Sequence, residues 1–159
     1  MSPDPPPRYA ASVSFLLSQV GARSAQVFAE RLAPLDVTPR AFGVLSNLAS
    51  EPGQTQQQLA DALGIHRNNM VGLIDEMEAA GWVRRERSVT DRRAFNVQLT
   101  RTGTLLLSRV GELIVTLDQE LDEALGEGDR TTLIRLLGEL AAALKLTPGV
   151  HPYLRTSSH

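Results

Sequence analysis

The residues best equipped for recognition chemistry stand in one run, His66, Arg67, Asn68 and Asn69, inside "GIHRNNMVGLIDEMEAAGW". It puts an imidazole, a guanidinium and two carboxamides on what the following periodicity predicts to be the first turn of a helix. Arginine can fork onto guanine, and asparagine can bridge the hydrogen-bonding edge of adenine. A helix N-terminus adds free N–H groups and a partial positive charge that suit a phosphate. A local reading competes: His66 caps the helix, and asparagines early in a helix bond to their own backbone. Capping accounts for His66 but cannot use Arg67, Asn68 and Asn69 together, so these three are expected to face a nucleic acid. Gln56, at the start of the preceding short helix, joins them as a candidate.

A second cluster follows in "WVRRERSVTDRRAFNVQLT". Arg84, Arg85 and Arg87 lie on the outgoing arm of an apparent hairpin and are expected to meet phosphates rather than bases. Asp91, Arg92 and Arg93 occupy its tip. An aspartate two residues before an arginine can accept from the guanidinium and hold it extended, which suits a narrow, negative minor groove. The competing reading is a surface ion pair that contributes little.

Catalysis finds no support. The histidines are His66, His151 and His159, and two of these belong to the C-terminal tail. There is no nucleophile–base pairing, glycine-rich phosphate loop or H-E-x-x-H spacing. Asp75, Glu76 and Glu78 read as the solvated face of one helix. The expectation is a protein that is not an enzyme and needs neither cofactor nor metal.

The elements that position these residues follow from periodicity. Four prolines within the first seven residues predict an extended, disordered arm over 1–8. A helix then starts near Tyr9, carries Val13, Leu16, Leu17, Val20, Val27, Phe28 and Leu32, and ends before Pro34. "DVTPRAF" opens a second helix, with Pro39 in the first position, where its missing N–H costs nothing. Thr55 and Gln58 fit a capping box for a short helix that stops at Gly64. A fourth helix starts at His66 or Arg67, with Leu73, Ile74 and Met77 as anchors, and ends at Gly81. Two short helices joined by a glycine-containing turn are a helix-turn-helix pattern. Mid-helix Gly72 would allow close approach to DNA or to a neighbouring helix.

After Gly81 the period falls to two, which predicts a β-hairpin wing. Val83, Phe95, Val97 and Leu99 should face inward, with the arginines outward. Helical period returns from Thr102, with a leucine stripe broken at "GEGD" and resumed to about Leu144. The fold class is mainly α with a small β-hairpin: a winged helix-turn-helix core (37–101) flanked by long helices (9–33 and 102–147), a single domain over 9–147 and a flexible tail over 148–159. The leucine stripes of both flanks exceed what a small central domain can cover, which favours a homodimer. The alternative is a monomer whose flanks fold back on the core.

With 159 residues and 42% hydrophobic content, the chain can bury one core. Its net charge of -2 offers no global attraction to a polyanion. Distribution matters more: Trp82 to Arg101 holds six arginines against Glu86 and Asp91, whereas Glu112 to Glu139 is strongly acidic. One anion-facing surface fits this pattern, as does a solvated basic hairpin with no partner. The lack of cysteine removes disulfides, thiolate nucleophiles and thiol redox sensing. Neither a signal peptide nor a run of ~18 apolar residues appears, so a cytoplasmic protein is expected.

The stretch from "VTPRAF" through "QQQLADALGI" and "LIDEMEAAGWV" to the wing "DRRAFNVQLTRTG" closely resembles the core of MarR-type transcriptional regulators, over about Val37 to Gly103. Asp91 and Arg93 occupy the D-x-R positions of the wing. The resemblance implies a homodimeric DNA-binding regulator, usually a repressor, on pseudo-palindromic DNA. It implies base or phosphate contact by Arg67, Asn68 and Asn69, and minor-groove insertion by Arg93 supported by Asp91. It also makes release by a small aromatic or phenolic effector an expectation. A winged-helix protein-interaction module without specific DNA binding is the alternative.

Overall fold

The computed structural model describes residues 8–88, 95–126 and 128–151. The expectations for the arm before Arg8, for the tail beyond His151 and for Asp91, Arg92 and Arg93 fall outside these residues. The chain forms two compact units, Met1–Thr38 and Pro39–His159, where the sequence suggests one domain over 9–147.

In the first unit, a 3-10 turn (Arg8–Ala11) precedes helix α1 (Val13–Leu32). The helix predicted to begin near Tyr9 is therefore interrupted. Ser12 takes an extended backbone (ψ 142°) and its hydroxyl accepts from the Phe15 N–H, so it caps α1 and separates it from the turn. Val13, Leu16, Leu17 and Val20 all remain exposed.

The second unit contains α2 (Pro39–Ser50), α3 (Gln56–Leu63), α4 (Arg67–Ala79), strands β1 (Val83–Arg87) and β2 (Phe95–Leu99), α5 (Arg101–Asp122) and α6 (Asp129–Ala143). Pro39 does open α2. Thr55 and Gln58 form the reciprocal capping box at the start of α3. Leu59, Leu63, Met70, Ile74 and Met77 bring α3 and α4 into one core with Val44, Leu45 and Leu48 of α2.

Both ends of the helix-turn-helix close in the same way. At Gly64 (φ 64°) the Ile65 N–H reaches the Ala60 carbonyl, and the Gly64 N–H reaches Asp61. At Gly81 (φ 75°) the Trp82 N–H reaches Met77, and the Gly81 N–H reaches Glu78. These are Schellman closures, which need a left-handed residue and so favour glycine.

Strands β1 and β2 pair antiparallel, with Val83 opposite Leu99, Arg85 opposite Val97 and Arg87 opposite Phe95. The hairpin also meets the start of α3: Thr55 bridges Asn96, and the Val97 N–H donates to the Gln54 carbonyl at 2.8 Å. Val83 and Val97 are buried, as the alternation predicts. Phe95 is not. It is 48% exposed, and the Arg87 guanidinium lies 5.8 Å from its ring centre.

Helix α5 begins at the Thr100 cap and buries Leu106 and Val110. Helix α6 buries none of its residues. Leu133, Leu136, Leu137, Leu140 and Leu144 stand exposed along it, while Arg130 ties its start to Asp118 and Asp122 of α5.

Candidate nucleic-acid interface

His66 is the N-cap of α4. Its Nδ1 accepts from the Asn68 N–H at 3.3 Å, which satisfies one of the free donors of the first turn. Arg67, Asn68 and Asn69 follow in that turn, all exposed, while Met70 behind them is fully buried. Among the described residues, the side chains of these three find no hydrogen-bonding or charged partner. The local bonding open to the asparagines is thus unused. Gly72 is exposed, and a Cβ there would meet no described atom within 4 Å. Packing against a neighbouring helix therefore does not explain it, and the space lies on the outer side of α4.

The hairpin arginines diverge. Arg84 is exposed and pairs with neighbouring Glu86, Nε to Oε1 at 2.6 Å. Arg87 is exposed beside Phe95. Arg85 departs from its expected outward position. Its partner across the ladder is the buried Val97, so both point to the core side, and only 21% of the Arg85 side chain is exposed.

The Arg85 guanidinium donates from Nε to Gln56 Oε1 at 2.6 Å, from Nη1 to Glu78 Oε2 at 2.5 Å, and from Nη2 to Asp75 Oδ1 at 2.5 Å. Its backbone N–H donates to Glu78 Oε1 at 2.8 Å. The Arg85 backbone N–H, then its guanidinium, holds the Glu78 carboxyl below the ordinary glutamate range. Burial by itself would lower the Arg85 pKa, but the bonds to Asp75 and Glu78 outweigh it and raise it. The half-buried Arg85 guanidinium is therefore paired within the protein at all three nitrogens. Gln56, expected at the nucleic-acid face, is half-buried and occupied by the same guanidinium. Asp75 and Glu78, which read as a solvated face, are its anchors.

Sequence reasoning missed this arrangement, although two signals were present. Alternation that turns Val83 inward also turns Arg85 inward. Asp75 and Glu78, three apart on a helix, share a face. It also missed Thr100. The Thr100 hydroxyl lies 2.6 Å from the Gly81 carbonyl and 3.1 Å from that of Trp82, and accepts the Gly103 N–H at 3.0 Å. That joint secures the hairpin between α4 and α5.

No group of three or more potential metal ligands gathers among the described residues, and no described helix is long and apolar enough to cross a membrane.

Two short helices closed at a glycine, with the second presenting unpartnered polar groups and leading into an antiparallel hairpin, define a winged helix-turn-helix DNA-binding protein. The model of the MarR family matches residues 35–94. A curated relative from Thauera aromatica, assigned to transcriptional regulation of the hcr operon, is 34% identical over 112 residues, which are 70% of this chain and 68% of that protein. The solved structure of the transcriptional repressor CouR bound to a 23-mer DNA duplex is 34% identical, with a TM-score of 0.72, over 83% of this chain and 94% of that one. CouR bound to p-coumaroyl-CoA gives 32% identity and a TM-score of 0.67 over 83% and 93%. The chain belongs to the MarR family and is a DNA-binding transcriptional regulator.

Proposed function

We propose that this regulator is a homodimeric repressor that occupies a pseudo-palindromic operator and leaves it when a small aromatic effector binds. The observation that carries this reading is the first turn of α4. Arg67, Asn68 and Asn69 stand exposed and unpartnered among the described residues, on a helix whose opposite face is locked into the core. In this reading Arg67 and Asn69 read base edges in the major groove. Asn68 contacts a base or phosphate, Arg84 and Arg87 meet phosphates, and Arg93 enters the minor groove with Asp91 as its support.

The exposed leucines of α6 and the apolar residues of α1 supply the dimer interface. Dimerisation sets two half-sites about 10 bp apart. A repressor action is supported by the similarity to CouR. The p-coumaroyl-CoA held by that relative supports an aromatic effector and extends its class to acyl thioesters. Release follows if the effector favours a spacing of the two α4 helices that no longer matches successive grooves.

Genomic-fragment selection with the purified protein tests this directly. The recovered duplex should bind with a steep salt dependence, log affinity falling by about 0.9 per log unit of salt for each phosphate neutralised. Flat dependence, or no recovered fragment, would favour the protein-interaction module that the acidic pI leaves open. Adding p-coumaroyl-CoA, p-coumarate and coenzyme A separately should release the duplex with at least one aromatic compound and not with coenzyme A alone.

A further inference from the structure

The Arg85 side chain, which belongs to the wing, bonds to both α3 and α4. Gln56 is the first residue of α3, Asp75 and Glu78 lie in the second half of α4, and Arg85 itself is the middle residue of β1. We infer that Arg85 is a positioning residue for DNA recognition, a three-way clamp that sets the angle between α4 and the wing without itself touching DNA. The inference rests on the DNA-binding reading above and deepens it.

The geometry separates this role from a phosphate contact. All three nitrogens of the guanidinium already donate to acceptors within the protein, and a planar fork is better held by such a set than a flexible ammonium would be. Asp75 is 61% and Glu78 39% exposed at the side chain, so each pair alone adds little stability. What the set adds is direction. Asp75 is eight residues from Arg67, a lever of about 12 Å along the helix. A tilt of about 10° at the clamped end would carry the reading residues roughly 2 Å across the groove, beyond the tolerance of a bidentate base contact. The wing departs from the same point, with Arg87 two residues further along β1. Major-groove and minor-groove contacts thus share one fixed reference.

The test compares binding to the duplex recovered by selection with binding to an unrelated duplex of equal length, for parent, Arg85→Met, Arg85→Lys, Asp75→Asn and Glu78→Gln. Circular dichroism confirms folding at the assay temperature. For a clamp, Arg85→Met lowers affinity for the selected duplex about 10-fold or more, while the unrelated duplex changes by less than about 3-fold and the salt slope stays put. Arg85→Lys does not rescue, since one ammonium cannot satisfy three separate acceptors.

The carboxylate variants decide by sign. Asp75→Asn and Glu78→Gln lower specific affinity if they anchor a clamp, but raise affinity for every sequence if they merely repel nearby phosphates. That sign also decides the matter should Arg85→Met fail to fold. The clamp is overturned if Arg85→Met weakens both duplexes equally, with the salt slope reduced by about 0.9 and Arg85→Lys restoring it. It is equally overturned if all four variants bind like the parent. A parent that recovers no fragment sinks the DNA reading instead; coupling between Arg85→Met and Glu78→Gln in thermal stability then still reports whether the clamp exists.

Discussion

Gly103 of α5 lies directly against the carbonyl of Trp82, so that a Cβ at this position would overlap that oxygen and crowd Leu99 Cδ2 at 3.3 Å. The obstacle is backbone, and Thr100 already holds it in place through the Gly81 and Trp82 carbonyls. Gly103→Ala is therefore expected to destabilise the protein by about 1–3 kcal/mol, through overpacking at a joint that cannot yield. A urea titration should show a lower midpoint with an unchanged slope. A midpoint equal to the parent's would mean that the α4–hairpin–α5 joint opens freely.

His66 caps α4 through Nδ1, and asparagine is among the strongest residues at that position. His66→Asn should retain stability and leave DNA binding close to the parent's. His66→Ala should cost about 0.5–1 kcal/mol by freeing the Asn68 N–H. Thermal unfolding of the pair reads the cap. If His66→Asn instead lost specific binding at full stability, the imidazole would have to be a DNA contact.

The Glu78 carboxyl is held below its ordinary range by the Arg85 N–H and guanidinium. A carboxyl whose folded pKa is depressed adds stability above its unfolded value, about 4.3 for glutamate, and loses it as pH falls through the lower folded value. The junction should thus be unchanged from neutral pH down to about 5 and weaken only below about 4. Glu78→Gln removes this titration, so its stability difference from the parent should shrink as the solution is acidified. A difference that stays constant across that range would show that Glu78 and Arg85 do not interact in solution.

Leu137 lies at the centre of the exposed stripe on α6, between Leu133 and Leu140. A charge there would have to be buried if two copies meet on this face, at a cost of several kcal/mol. Leu137→Glu should convert the protein to a monomer of unchanged helicity by light scattering and circular dichroism. It should also weaken binding to a two-half-site duplex far more than to a single half-site. A dimer that survives the substitution would move the interface elsewhere.

Much of the fold was legible in the residues alone because its signals are local. The Thr55–Gln58 box, Pro39, Gly64 and Gly81 each act within a few positions of themselves, so the helix-turn-helix could be read before any tertiary contact was known. The expected cap at His66 and the inward Val83 and Val97 belong to the same class. Ser12 is a local signal of this kind that periodicity concealed, since the apolar stripe continues across it.

Arg85 and Phe95 mark the limit. Alternation assigns each hairpin residue to one of two faces, but it cannot say where the core stops beneath that face. Phe95 shares a face with buried Val97 and is yet 48% exposed. An arginine on the inner face is tolerable only when acceptors surround it, and those of Arg85 lie 7, 10 and 29 residues away in sequence. By itself, then, the sequence determined the order of elements, their caps and the polar first turn of α4, all set by neighbours along the chain. Only the tertiary structure decided that one wing arginine turns inward to hold α3, α4 and β1 together, because a charge turned toward the core depends on partners that folding alone brings within reach.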